Sequence, residues 1–320
     1  MRAASIVALI ALAGCSGEAQ PVGLDEPLFV RNGVFQRGDL PGAAPSDAGA
    51  TVVPGITAVE SANNVISAAQ GGKSYAGRTT PEAWSVGVRL DSLGTGWWMI
   101  PVGGADPSYN NELTWQLTAD FGGAITPGLH RLRFVALDAQ GRGGTQRDAR
   151  VCVLPAVPDN LNACDATLAP PDAVLSLTWD TDADLDLVVV TPEGKIVDAR
   201  HPTTAPVTGT AVDAAALRDP STGALDRNSN AGCAIDHIRR ENLVWQGAPA
   251  PGTYRVYASL FDACRQSAAR FRVTLTRRAD GAAPGTHRPI ETVRRDGIVT
   301  ALAARGGATL GTFVTEVTLP

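Results

Sequence analysis

Apolar residues recur at every second position in a series of short runs that begins near Ile56. WSVGVRL (Trp84–Leu90), GWWMIPV (Gly96–Val102), ELTWQLTADF (Glu112–Phe121), HRLRFVAL (His130–Leu137) and ARVCVL (Ala149–Leu154) alternate or run apolar, and Gly, Pro, Asp and Asn separate them. Period two places alternate side chains on opposite faces, so each run predicts a strand with one buried face. A second series begins near Asp172 with VLSLTW (Val174–Trp179), LDLVVV (Leu185–Val190) and KIVDA (Lys195–Ala199). It continues through ENLVW (Glu241–Trp245), TYRVYASLF (Thr253–Phe261), ARFRVTLT (Ala269–Thr276), GIVTALAA and GTFVTEVTL. Helical periodicity is absent from both series. The expected fold is therefore all-β, with two immunoglobulin-like β-sandwich domains.

The expected boundaries are 55–156 for the first sandwich, 157–172 for a linker and 173–320 for the second. Trp84, Trp97, Trp98 and Trp115 are expected in the first core because aromatic rings bury large areas. An exposed Trp97–Trp98 pair is the one carbohydrate-stacking alternative there. The halves also echo each other: PGLHRLRFVALDA (Pro127–Ala139) and PGTYRVYASLFDA (Pro251–Ala263) agree at Pro, Gly, Arg, Asp and Ala without a gap, each after a TWQ or VWQ strand.

Residues 1–14 resemble a bacterial lipoprotein signal, with AASIVALIALA as the apolar stretch and LAGC ending at Cys15. That resemblance implies lipid on Cys15, membrane attachment and, from Ser16, the outer membrane, with the protein facing the periplasm or the surface. Residues 15–54, rich in Gly, Ala, Pro and Asp, are expected to form a flexible tether. The remaining four of five cysteines, Cys152, Cys164, Cys233 and Cys264, suit two disulfides in an exported chain. Local pairing, Cys152 with Cys164 and Cys233 with Cys264, is the expected choice among three connectivities. A formal net charge of -5 offers no basic stripe, so nucleic acid is excluded as a partner.

Candidate chemistry is concentrated in LSLTWDTDADLDLVVV, where Asp180, Asp182, Asp184 and Asp186 alternate with other residues. In one continuous strand these carboxylates would lie about 7 Å apart on a single face, at a cost of about 2 kcal/mol per pair at an effective dielectric near 20. If DTDAD is instead a turn between antiparallel strands, they gather at one loop. A gathered set suits Ca²⁺, which takes about six to eight oxygen ligands. LDRNSNAGCAIDHIRREN (Leu225–Asn242) supplies a second oxygen-rich run. The candidate metal ligands are Asp180, Asp182, Asp184, Asp186, Asp226, Asn228, Asn230 and Glu241, competing with a solvated edge paired to Arg200, Arg239 or Arg240.

These segments, with RRENLVWQGAPAPGTYRVYA, resemble the YfaP-like DUF2135 type, a bacterial family of exported β-sandwich modules of unknown function. The shared pattern covers about Leu175 to Tyr257: a Trp-Asp, an Asp-Leu-Asp-Leu strand, a Pro-x-Gly hairpin, an Asp/Asn loop and a Glu-Asn before a Pro-Gly-x-Tyr strand. The resemblance implies no established enzyme activity.

No Gly-x-Ser-x-Gly elbow or His-Glu-x-x-His occurs, and SAAQGGKS (Ser67–Ser74) reads as a turn rather than a phosphate loop. His237, beside Asp236, is the best acid–base candidate. The expectation is a lipid-anchored, non-enzymatic binding or structural module with a Ca²⁺ site and a protein or glycan ligand. The alternative is a hydrolase acting on cell-wall or extracellular polysaccharide through the acidic groups.

Overall fold

The computed structural model describes residues 23–42, 53–67, 69–208 and 211–320, so the expected signal, Cys15 and part of the tether lie outside it. The chain is all-β, built as immunoglobulin-like sandwiches, and forms two compact units. One unit comprises residues 1–61, 71–120 and 132–148; the other comprises 62–70, 121–131 and 149–320.

The N-terminal strands are β1 (Leu28–Val30), β2 (Val34–Arg37), β3 (Ile56–Glu60), β4 (Val65–Ser67), β5 (Lys73–Thr79) and β6 (Ser85–Leu90). They are followed by β7 (Gly96–Pro101), β8 (Ala105–Asp106), β9 (Glu112–Phe121), β10 (Gly128–Leu137) and β11 (Arg147–Leu154). In the first unit one sheet runs β1-β9-β5-β3, and a second includes the run β2-β7-β6-β10. In the second unit β11 pairs in parallel with β4.

Strands β1 and β2 correct the tether expectation. Leu28, Val30 and Phe35 are buried, and Trp98 Nε1 donates to the Leu28 carbonyl at 2.6 Å, so residues 28–37 belong to the sheets. Their alternation spans only three or four residues each, too few to stand out from Gly- and Pro-rich surroundings. Trp97, Trp98 and Trp115 are buried, which removes the stacking pair. Trp84 departs from the core expectation and is 69% exposed. It precedes β6, where its backbone N–H donates to Leu137 and its carbonyl accepts from Val102, leaving the ring outside.

The second unit continues with β12 (Ala173–Trp179), β13 (Asp184–Val190), β14 (Ile196–Val197), β15 (Val207–Thr208), β16 (Ala211–Val212) and β17 (Gly223–Leu225). It ends with β18 (Arg240–Trp245), β19 (Gly252–Asp262), β20 (Ala268–Asp280), β21 (His287–Thr300) and β22 (Thr312–Leu319). Sheet β17-β18-β12-β20-β21 faces sheet β14-β13-β19-β22 across a core of Leu175, Leu177, Leu185, Leu187, Trp245 and Val256. Short β14 replaces the longer strand expected over Lys195–Ala199, and β20 and β21 exceed their expected lengths.

The expected linker 157–172 is folded. Cys152 and Cys164 are bonded, Asp159 accepts from the backbone N–H groups of Leu161 and Ala163, and Asn162 donates to Leu168 and His287 carbonyls. The second disulfide joins Cys233 to Cys264. Both pairings match the local-pairing expectation.

The sequence echo has a structural counterpart. Gly128 and Gly252 open β10 and β19 with the same φ of +135°, a region that only glycine adopts without strain. Trp115 faces Gly77 and Trp245 faces Gly223 across neighbouring strands. A Cβ on either glycine would fall 2.6 Å from the facing indole, so each large ring uses the space of a missing side chain.

Candidate functional site

Asp180 to Asp186 form neither one strand nor a hairpin. β12 ends at Trp179, residues 180–183 bend, and β13 starts at Asp184 in the opposite sheet. Trp179 fixes this crossing: its ring is buried and its Nε1 donates to the Ala183 carbonyl at 2.9 Å. Because Leu185, Leu187 and Val189 face the core, the two-residue period turns Asp184, Asp186 and Val188 to the other face of β13.

The four aspartates are therefore divided. Asp180 accepts from the Arg270 backbone N–H at 2.9 Å. Asp182 accepts from Arg239 at 2.8 Å, and this guanidinium, helped by His237, holds the carboxyl below its usual range. Asp184 and Asp186 line a cavity of about 560 Å³ on the outer face of β13. Asn228 and Arg200, the latter expected as an ion-pair partner of the acidic cluster, reach the same cavity, as do Asp198, Ser259 and Phe261, which the pattern did not single out.

The other expected ligands are committed elsewhere. Asp226 accepts from the Asn242 backbone N–H and side-chain amide, at 2.9 and 2.8 Å. Asn230 donates to Ala183 and accepts from the Asp236 N–H, holding the loop beside β13. Glu241 accepts from the N–H groups of Leu187 and Ser229 at 2.7 and 3.1 Å. It thereby closes the edge of β13 where β14, which pairs only Val189 and Val190, has stopped. None of the three is among the residues lining the cavity, and Asp226 lines a separate pocket with Arg227 and Arg240. His237 is 73% exposed on its side chain and sits 3.4 Å from Asp182, outside the cavity lining.

Three carboxyls are pushed toward the neutral form. Burial raises Asp184 to about 6, against the Gly232 N–H that donates to it at 2.7 Å, and Asp262 adds to the rise. Burial, then the charges of Asp184 and Asp198, raise Asp186 to about 7, opposed by Arg200. Burial also lifts Glu241 well above the usual carboxylate range. Asp184 Oδ1 is buried with no hydrogen-bond partner. Such an oxygen is costly unless a proton or a cation meets it.

Asp198 could have been found from its local chemistry. Its carboxylate accepts from the backbone N–H groups of Arg200 and His201, a turn of the kind Asp favours, and this ends the strand expected through Ala199. Gly232 carried no such signal, because its contact with Asp184 depends on a fold bringing together residues 48 apart in sequence.

The fold and site define an all-β, immunoglobulin-like sandwich protein with an acidic cavity on one sheet face. No family model and no curated protein matches the chain. Among solved structures it is similar to the fibronectin(III)-like modules of CbhA from Clostridium thermocellum, with 12% identity over 75% of this chain and 92% of that chain and a TM-score of 0.17.

Proposed function

We propose that this protein is an exported, membrane-anchored, non-enzymatic binding module whose ligand site is the acidic cavity on β13. Lipid on Cys15 would attach it to the outer membrane, and the likeness of Leu175–Tyr257 to YfaP-like modules belongs to the same reading. The observation that carries the binding role is Asp184 Oδ1, buried without a partner beside Asp186 in an open cavity. A cation satisfies both carboxylates at once. The proposed ion is Ca²⁺, held by Asp184, Asp186 and Asn228 with Asp198 nearby, and with water in its remaining positions. A protein or glycan ligand would meet the same face; nucleic acid would not.

Calorimetric titration of the purified mature protein with Ca²⁺ tests this reading. The expected result is saturable heat and a raised melting temperature, both abolished by Asp184→Ala. No heat and no stabilisation in the parent protein would remove the calcium assignment. The raised Asp186 carboxyl is the one observation that favours polysaccharide hydrolysis instead, since a general acid must hold a proton near neutral pH. Turnover of cell-wall glycan that Asp186→Asn abolishes would establish that second reading.

A further inference from the structure

The cavity is larger than an ion requires and is lined by apolar side chains as well as carboxylates. Asp184 and Asp186 are 2% and 7% exposed, while Ile196 at 42% and the half-buried Phe261 and Leu310 stand further toward solvent. Val188 is the one fully buried apolar side chain among the lining residues. The mouth also carries the exposed polar residues Arg200, Asn228 and Thr309, so a ligand meets apolar and polar groups together before it reaches Asp184 and Asp186.

Asp184, Asp186 and Asp198 do not converge as a group of three within 4.8 Å, so the cavity also has room for a larger cation. Ca²⁺ needs its oxygens at about 2.3–2.6 Å, and hence within about 5 Å of one another. Among the described residues, the one His/Cys/Asp/Glu group that converges within 4.8 Å is Cys233, Asp262 and Cys264, whose sulfurs are joined to each other. Asp184, Asp186 and Asp198 present negative charge over a wider area. A primary ammonium, with three donors on a flexible stem, also suits such a site, beside Arg200 of the same lining, which already acts on Asp186.

We infer that the cavity binds an aliphatic primary amine with a stem about the length of a lysine side chain, its ammonium between Asp184 and Asp186 and its methylenes against Ile196, Phe261 and Leu310. The unpartnered Asp184 Oδ1 receives one N–H, and Asp186 receives another. The stem covers apolar surface while the head is paired, as lysine side chains do elsewhere. This inference rests on the reading of the cavity as a cation site and names the cation's class. The chemistry is shared by a free diamine and by a lysine side chain of a partner chain.

Separate calorimetric titrations of the mature protein with cadaverine, with a lysine capped at both ends, and with CaCl₂ test it. The expected result is saturable binding of at least one amine below about 1 mM. Capped lysine binding assigns a partner's side chain, whereas cadaverine binding with capped lysine inert assigns a free diamine. Asp186→Asn, which keeps the shape and removes the charge, should weaken the amine at least about tenfold. Phe261→Ala should weaken it about threefold to tenfold. Melting curves confirm that both variants are folded, and either one alone suffices. Calcium heat with neither amine binding overturns the inference and leaves the cation reading intact. No heat from any of the three overturns both, and amine binding unchanged in Asp186→Asn overturns the assignment to this cavity.

Discussion

Asp184, Asp186 and Glu241 hold protons in the folded chain at pH values where an unfolded chain would have lost them. Their folded values are raised, so their contribution to stability is fully present below about pH 4 and is lost as pH rises through about 6 for Asp184 and about 7 for Asp186, with Glu241 extending the loss upward. The melting temperature of the metal-free protein should therefore fall by several degrees between about pH 4 and pH 7, with Asp186→Asn flattening the slope. A melt series that rose over this interval would contradict the buried-acid assignment. Glu241 makes a separate prediction, because its two oxygens satisfy the N–H groups of Leu187 and Ser229. Glu241→Ala should destabilise the chain by about 3 kcal/mol, measured by denaturant unfolding, since both donors lose their partner inside the fold. At this scale the sequence marked Glu241 as important but did not show that it caps the Leu187 and Ser229 N–H groups. An acidic residue on an alternating strand reads the same whether it faces a ligand or a neighbouring strand's open edge.

Strands were the most legible elements where alternation lasted six residues or more. Glu112–Phe121 was read with its observed bounds, and β6, β10, β12, β13, β18 and β19 shifted by only one or two residues. β1, β2 and β4 are shorter and were invisible, since three or four residues cannot show a period and their burial depends on partners elsewhere in the chain, and β5, though seven residues long with alternating burial, was not read as a strand either. The Trp–Gly pairs belong to this scale. Gly223→Ala should cost about 1–3 kcal/mol by driving a methyl group into Trp245, read as a lower melting temperature. The loop that carries Gly232 to Asp184 is held by the Cys233–Cys264 disulfide, which closes 31 residues. Removing it with paired serine substitutions should cost about 4 kcal/mol on the loop-entropy estimate and weaken cation binding in parallel. Unchanged affinity in a folded Cys233→Ser/Cys264→Ser variant would show that the loop positions itself without the disulfide.

At the level of the whole chain, two related modules were visible as an echo, and the matching +135° torsions of Gly128 and Gly252 give that echo a backbone basis. The expected boundaries moved because hydrogen bonds and a disulfide fold residues 157–172, and because residues 28–37 are strands. The sequence by itself determined the fold class, since period-two alternation leaves each strand with an apolar face that only packed sheets can cover. Short separations made the observed cysteine pairing the expected one of three connectivities, and the fold settled it. Only the tertiary structure decided which aspartates meet. Trp179 turns the chain from one sheet to the other after β12, sending Asp180 and Asp182 to Arg270 and Arg239 and leaving Asp184 and Asp186 on the face of β13. The bend separates carboxylates that are two residues apart, and the fold brings in Asp198, Gly232 and Phe261 from 12 to 77 positions away in the numbering. Local pattern encodes which face a side chain takes, but the company it keeps there is set by how the sheets stack.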